Sequence, residues 1–214
     1  MRIRTTLMAP FRIDLVTLLV TDLTVVARFY CDQLGASEIG RGLLPAALAL
    51  KLGQARLGDS PWVALQPGCG AAAIRLISDQ GEAPDKREEG WDSLIIGGYP
   101  GARQAILTDP AGHRLHLGDG SGSLSGVTVG FSSLAASAGF YQGLLGAKLK
   151  SGQDDASLLL GSDTRIALTK PVLYGPRPLS VRLCLNGSDH EVISRLTQVP
   201  RCLSGPQDEI IELI

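Results

Sequence analysis

Two strand-like pentapeptides carry the residues best suited to chemistry, "RLHLG" (114–118) and "IIELI" (210–214). Alternation puts Arg114, His116 and Gly118 on one face of the first and Leu115 and Leu117 on the other. In the second, Ile210, Glu212 and Ile214 share a face, with Ile211 and Leu213 opposite. A histidine and a carboxylate held together in a desolvated cleft make an acid–base pair: the carboxylate orients the imidazole and raises its pKa, and the imidazole moves a proton. Arg114 beside them would neutralise a substrate anion. His116 and Glu212 are therefore the candidate catalytic residues. The competing reading leaves them hydrogen-bonded to each other or to water, with no chemistry.

The other reactive side chains make weaker cases. Cys31, Cys69, Cys184 and Cys202 are scattered with no C-x-x-C pair, which argues against a zinc cluster or a disulfide framework. Asp109, His113 and Asp208 fall in turns, where Asp and Gly serve the backbone. His190 belongs to the first turn of an expected helix over 188–199, while "DKREEG" (85–90) and "SGQDD" (151–155) read as solvated loops. Trp62 and Trp91 are expected to pack in a core. "GDGSGSLSG" (118–126) lacks the Lys-Ser/Thr of a phosphate loop and no nucleophile elbow is present.

Composition narrows the class. Of 214 residues, 44% are hydrophobic and 19% charged, with 20 Lys plus Arg against 21 Asp plus Glu and a net charge of −1. That balance offers no footprint for nucleic acid, and 5% aromatic content gives no base-stacking platform. No apolar stretch reaches the length of a membrane span and no signal peptide is legible, so a cytoplasmic protein is expected.

What positions the candidates is a duplication. "RFYCDQLGA" (28–36) and "GFYQGLLGA" (139–147) lie 111 residues apart, and nine of 21 positions between 16 and 36 are identical at that offset. They are Val16/Val127, Thr17/Thr128, Leu23/Leu134, Ala27/Ala138, Phe29/Phe140, Tyr30/Tyr141, Leu34/Leu145, Gly35/Gly146 and Ala36/Ala147. The ends of the halves match at an offset of 96, Pro110 with Pro206 and Leu117 with Leu213, so the first half carries about fifteen extra residues.

Each copy opens with a strand whose Val16, Leu18 and Val20, or Val127, Val129 and Phe131, form an apolar face for a helix. The opposite faces carry Leu15, Thr17 and Leu19, and Gly126, Thr128 and Gly130. These are roomier and partly polar, and with Arg114 they are the expected substrate-binding lining. Asp22 and Ser133 are N-cap candidates for the helices that follow, and Gly35 closes the first. The expected units are 1–118, with an insertion around 41–72 that covers the lining, and 126–214, joined by a linker over 119–125.

In this order, "VTDL" (20–23), "FYCDQLGA" (29–36) and "DPAGHRLHL" (109–117) resemble the vicinal oxygen chelate superfamily, which includes glyoxalase I, extradiol dioxygenases, methylmalonyl-CoA epimerase and bleomycin-resistance proteins. The resemblance implies an α+β fold of two tandem βαβββ modules related by a pseudo-twofold, their sheets curled into a barrel-like cup. It also implies four metal-ligand positions, two on the first strands and two on the closing strands, which fall here on Leu15, Gly126, His116 and Glu212. Leucine and glycine cannot coordinate a metal, so no metal and no cofactor are expected.

The resulting expectation is a glyoxalase-like, metal-independent enzyme of isomerase, cyclase or lyase type. It would act on an apolar organic substrate in the inter-module cup, with His116 and Glu212 transferring protons. The alternative is a ligand-sequestering protein without chemistry, and a metal-dependent glyoxalase or dioxygenase stands behind both. The expected partner is a small molecule, with no nucleic acid or membrane; a homodimer is admitted.

Overall fold

The computed structural model describes residues 11–68, 70, 72–81, 90–97, 105–118, 122–145, 148–151, 156–160, 164–169, 176–185, 200–207 and 209–214. The expected helix over 188–199 with His190, Cys69, Asp208, most of "DKREEG" (85–90) and 152–155 lie outside them.

The first half runs β1 (Phe11–Val20), α1 (Leu23–Leu34), β2 (Ser37–Leu43), α2 (Ala46–Lys51), a 3₁₀ turn (Ala55–Leu57), β3 (Pro61–Gln66), β4 (Ala73–Ser78), β5 (Gly90–Gly97), β6 (Ile106–Thr108) and β7 (Arg114–Gly118). The second runs β8 (Leu124–Gly130), α3 (Leu134–Leu145), β9 (Lys148–Ser151), β10 (Ala156–Leu160), β11 (Thr164–Thr169), β12 (Ser180–Leu185), β13 (Arg201–Ser204) and β14 (Ile210–Leu213). β8 thus begins within the expected linker.

These strands form two seven-stranded sheets, ordered β13-β14-β12-β1-β4-β3-β2 and β6-β7-β5-β8-β11-β10-β9. Exchanging the halves, β1 for β8 through β7 for β14, converts one order into the other. This is the topological mark of the pseudo-twofold. The fold is α+β, and each half contributes a βαβββ unit to one sheet and its last three strands to the other. Neither sheet closes on itself: both end on free edge strands.

One face of each sheet joins a shared core. Val16, Leu18 and Val20 of β1 and Val127, Val129 and Phe131 pack in one cluster with Val26, Tyr30 and Leu34 of α1 and Ala138, Tyr141 and Leu145 of α3. Burying each large apolar side chain contributes about 1.5–3 kcal/mol, which fixes the register of both first strands. The helices start where their caps dictate. Asp22 Oδ1 accepts from the Val25 amide at 2.9 Å, and Ser133 Oγ from the Ala136 amide at 3.4 Å. α1 stops at Gly35, whose φ of 58° suits a residue without Cβ and lets its amide return to the Tyr30 carbonyl.

The extra residues of the first half also have a place. Leu15 pairs with Ala73 and Gly126 with Arg165, so the offset has dropped from 111 to 92 by the fourth strand of each unit. Most of that insertion is the β2–β3 connection, which folds as α2 and the 3₁₀ turn. Leu44, Leu48, Ala49, Leu52 and Leu57 pack there on Leu15, Trp62, Ala64, Ala73 and Ile77, on the face of the first sheet away from the helices. Arg56 fastens the turn by a two-pronged ion pair with Asp79, one arm at 2.7 Å.

Candidate functional site

On the outer face of each sheet, away from α1 and α3, four central strands line up two rows of residues. In the second sheet the rows are His116–Ile95–Gly126–Arg165 and Arg114–Ser93–Thr128–Ala167. In the first they are Glu212–Arg182–Leu15–Ala73 and Ile210–Ser180–Thr17–Arg75. Every sequence-predicted site residue is on an outer face, but the faces are different ones. Arg114, His116, Gly126, Thr128 and Gly130 belong to the second sheet; Leu15, Thr17, Leu19 and Glu212 belong to the first. His116 and Glu212, expected as partners across one cup, therefore occupy equivalent places in separate sheets.

The first sheet's outer face is sealed. Glu212, Arg75 and Arg182 have no exposed surface, and Thr17 and Ser180 are buried with them. Glu212 Oε2 accepts from Arg182 Nε at 2.8 Å and Nη2 at 2.5 Å, while Oε1 accepts from Arg75 Nη2 at 3.2 Å and Ser180 Oγ at 2.5 Å. Arg75 Nη2 also donates to Thr17 Oγ1 at 2.8 Å. Burial pushes the Glu212 carboxyl up, but the two guanidiniums and the Ser180 hydroxyl outweigh it and hold the group below the ordinary carboxylate range. Burial likewise depresses Arg75, to about 10, against the pull of Glu212. Leu15 and Leu19 pack in the cluster formed with α2 and the 3₁₀ turn.

The second sheet's outer face is polar and only partly buried: Asp92, Ser93, Ile95, Gly126 and Thr128 are buried, and its accessible groups are those at its ends. His116 is half-buried, Arg165 is exposed, and the Arg114 side chain is 19% exposed. β5 slips one residue against β8 between Trp91 and Ser93, a bulge of the kind that re-aims side chains beside sites. Trp91 thereby stays in the core, where its Nε1 donates to the Ile210 carbonyl at 2.8 Å. Asp92 and Ser93 both reach the polar cluster. Asp92 takes Arg114 on Oδ1 and the Thr128 hydroxyl on Oδ2 at 3.1 Å, and Ser93 and Thr128 share a 2.5 Å hydroxyl contact. Burial, then the charges of Arg114 and Arg165, hold the His116 imidazole below its ordinary pKa, against the opposing pull of Asp92. His116 is a neutral imidazole at pH 7.

A third polar cluster sits at each half's corner. Tyr30 donates to Asp109 Oδ2 at 3.2 Å, and the same carboxylate takes His113 Nδ1 at 2.9 Å and the His113 and Ala111 amides. Tyr141 donates to Glu209 Oε1, whose Oε2 takes the Gln207 amide at 2.8 Å. At the 96-residue offset Asp109 corresponds to Gly205 and His113 to Glu209. The carboxylate has changed position within the turn while keeping its tyrosine. A Cβ built on Gly205 would fall on the Glu209 carboxyl group, so the longer side chain fills the space its missing neighbour leaves.

No family model matches the chain, and no curated protein matches it. Solved structures do. Glyoxalase I from Zea mays aligns over 95% of this chain and 92% of its own at 17% identity and a TM-score of 0.61. A dioxygenase candidate from Bacillus subtilis subsp. subtilis str. 168 aligns over 94% and 84% at 12% identity and 0.65. The chain has the vicinal oxygen chelate fold.

The metal positions implied by that fold can be tested against the side chains present. Each sheet holds two of the four, Leu15 with Glu212 and Gly126 with His116, so neither row offers more than one donor. The Glu212 oxygens are taken by two guanidiniums, and two more lie near His116. A divalent cation placed there would meet like charge and too few ligands. Among the described residues no three His, Cys, Asp or Glu side chains group as a metal site. The donor set does not fit a metal ion. Among the described residues, too, no helix is long and apolar enough to cross a membrane.

Sequence reasoning missed Arg75, Arg182, Asp92, Ser93 and Arg165. A signal existed for the first two: "AIRLIS" (73–78) and "SVRLCL" (180–185) each place one arginine inside an apolar strand, and a buried arginine demands a buried counter-charge. Asp92 had none, because a bulge is set by the partner strand.

Proposed function

We propose that the protein binds a small organic molecule on the outer face of the second sheet and acts on it without a metal, His116 serving as general base. The observation that carries this reading is the contrast in access: His116 is half-buried and neutral, with the exposed Arg165 in its row, whereas Glu212 is sealed and held charged. Glu212 then serves as the counter-ion that lets Arg75 and Arg182 be buried. Arg114 is fixed by Asp92, and the buried Ser93 and Thr128 hydroxyls hold that carboxylate from behind. Gly126, without a side chain, lets the Arg165 stem and Ile95 lie across the strand in the row that ends at His116. An imidazole in this setting would take a proton from an acidified carbon and return it elsewhere, as an isomerase or lyase does.

A binder without chemistry has one observation in its favour. Among the described residues His116 has no hydrogen-bonded carboxylate to orient its ring, since Asp92 is engaged by Arg114 and Thr128. Proton exchange separates the two readings whatever the natural substrate is. The protein is incubated in D2O with a panel of α-substituted carbonyl compounds, and deuterium entry at carbon is followed by NMR. A base at His116 gives exchange that falls by about 10²–10⁴-fold in His116→Gln and survives chelation. Binding without exchange supports sequestration, and exchange that persists in His116→Gln removes the assignment.

A further inference from the structure

The first sheet shows what its pair of rows accepts: a carboxylate among guanidiniums, supplied by Glu212 of the chain itself. The second sheet keeps two guanidiniums on the corresponding rows, Arg114 and Arg165, but carries His116 where the first carries Glu212. Arg114 is occupied by Asp92. Among the described residues Arg165 has no carboxylate partner, and its stem lies along Gly126, on the face that His116 shares. Among the described residues the fixed charges of this face, Arg114, Arg165 and Asp92, leave one positive charge in excess. We propose that Arg165 receives the carboxylate of an organic acid whose far end reaches His116 and whose apolar body lies against the exposed side chains that flank this row. This rests on the placement of the ligand site on the second sheet, and it adds the chemical class of the ligand.

The rows also set its size. Arg165 and His116 are three strands apart, about 14 Å at the usual strand spacing, and an extended arginine covers about half of that. The remainder fits an acid whose reacting group lies about 5–8 Å from its carboxylate. Leu159, paired with Arg165, and Ile106, paired with His116, are 38% and 56% exposed and stand at the two ends of the row. An arginine–carboxylate contact in water is weak alone, so an apolar body beside these two residues is required for useful affinity.

The probes are 4-phenylbutanoate and its neutral amide, titrated into the full-length protein while the His116 ring signals are followed by NMR. The acid is expected to bind at least about tenfold more tightly than the amide, because only it makes a charge-assisted contact. Arg165→Gln should abolish that preference and leave amide binding unchanged. Arg41→Gln, an exposed arginine on β2 paired with Glu38, should leave both titrations as in the parent. Equal binding of acid and amide, with His116 signals moving for both, overturns the carboxylate inference while the site survives. Preference for the acid that persists in Arg165→Gln also overturns it. If neither probe moves the His116 signals, both the inference and the site are removed.

Discussion

The outer faces of the two sheets began from the same plan and now do opposite things. Both have a threonine at the same place on the first strand, Thr17 and Thr128, and both carry two arginines on the same pair of rows, paired with a carboxylate. In the first sheet the carboxylate is Glu212 in the closing strand, the charges are buried, and an inserted helix packs with Leu15 and Ala73 of the same row. In the second the carboxylate has moved to the Asp92 bulge, the closing strand offers His116, and the polar groups meet solvent at one side. A buried ion cluster costs solvation and needs complete hydrogen bonding to hold, so the first face is committed to structure. A face with an exposed arginine and a half-buried imidazole retains groups that can change partners, which is what the proposed ligand site needs.

The largest expected difference between the faces comes from removing their signature residues. Glu212→Ala leaves two buried guanidiniums without a counter-charge and should destabilise the fold by about 3–5 kcal/mol. His116→Ala on the second sheet should cost under about 1 kcal/mol. Urea unfolding monitored by far-UV circular dichroism gives both values, and equal losses would erase the distinction.

The plug should behave as core. Leu48→Ala is expected to cost about 2–5 kcal/mol, because Leu48 is fully buried against the first sheet. Ile106→Ala, exposed at the edge of the second face, should stay within about 0.5 kcal/mol. A small effect at Leu48 would mean that α2 rests loosely and the first face is accessible.

The corners give a reciprocal test at smaller scale. Gly205→Asp alone forces a second carboxylate against Glu209, whereas Gly205→Asp with Glu209→His rebuilds the Asp109–His113 arrangement under Tyr141. The double variant should be more stable than Gly205→Asp by about 1–3 kcal/mol, measured by thermal and urea unfolding. Simple additivity of the two substitutions would deny that the corners are equivalent.

The smallest effect is one of pH. Because the folded state holds His116 below its ordinary value, the unfolded chain takes up the proton first as pH falls. Stability contributed by the neutral imidazole is present above about pH 6.5 and is lost as pH drops below that toward the folded value. The stability difference between parent and His116→Gln should therefore shift against the parent on acidification from about pH 7.5 to 5. A shift in the opposite direction would place His116 in a net negative environment.

Much of this fold could be read from the chain. The 111-residue repeat located α1 and α3 with their caps, and alternation assigned the apolar faces of β1 and β8 to the core, because those features depend on local periodicity. The rows on the outer faces were also legible, since a side chain's face follows from parity. Which sheet each row belonged to was not. Strand exchange between halves pairs β1 with β12 and β5 with β8, and such long-range pairing leaves no mark in local sequence. His116 and Glu212 consequently looked like partners when each has its own neighbours. The Tyr30–Asp109 and Tyr141–Glu209 contacts were hidden for a different reason: a turn residue chosen for its backbone and one chosen to meet a buried hydroxyl look the same until the helix is docked.

Access to the arginines tests the account most directly. Native protein treated with phenylglyoxal and mapped by mass spectrometry should be modified rapidly at Arg165 and more slowly at Arg114. Arg75 and Arg182 should remain protected until the chain is unfolded by denaturant. Modification of Arg75 or Arg182 in the native protein at a rate comparable to Arg165 would show the first face to be open, and would contradict the division of labour between the two sheets.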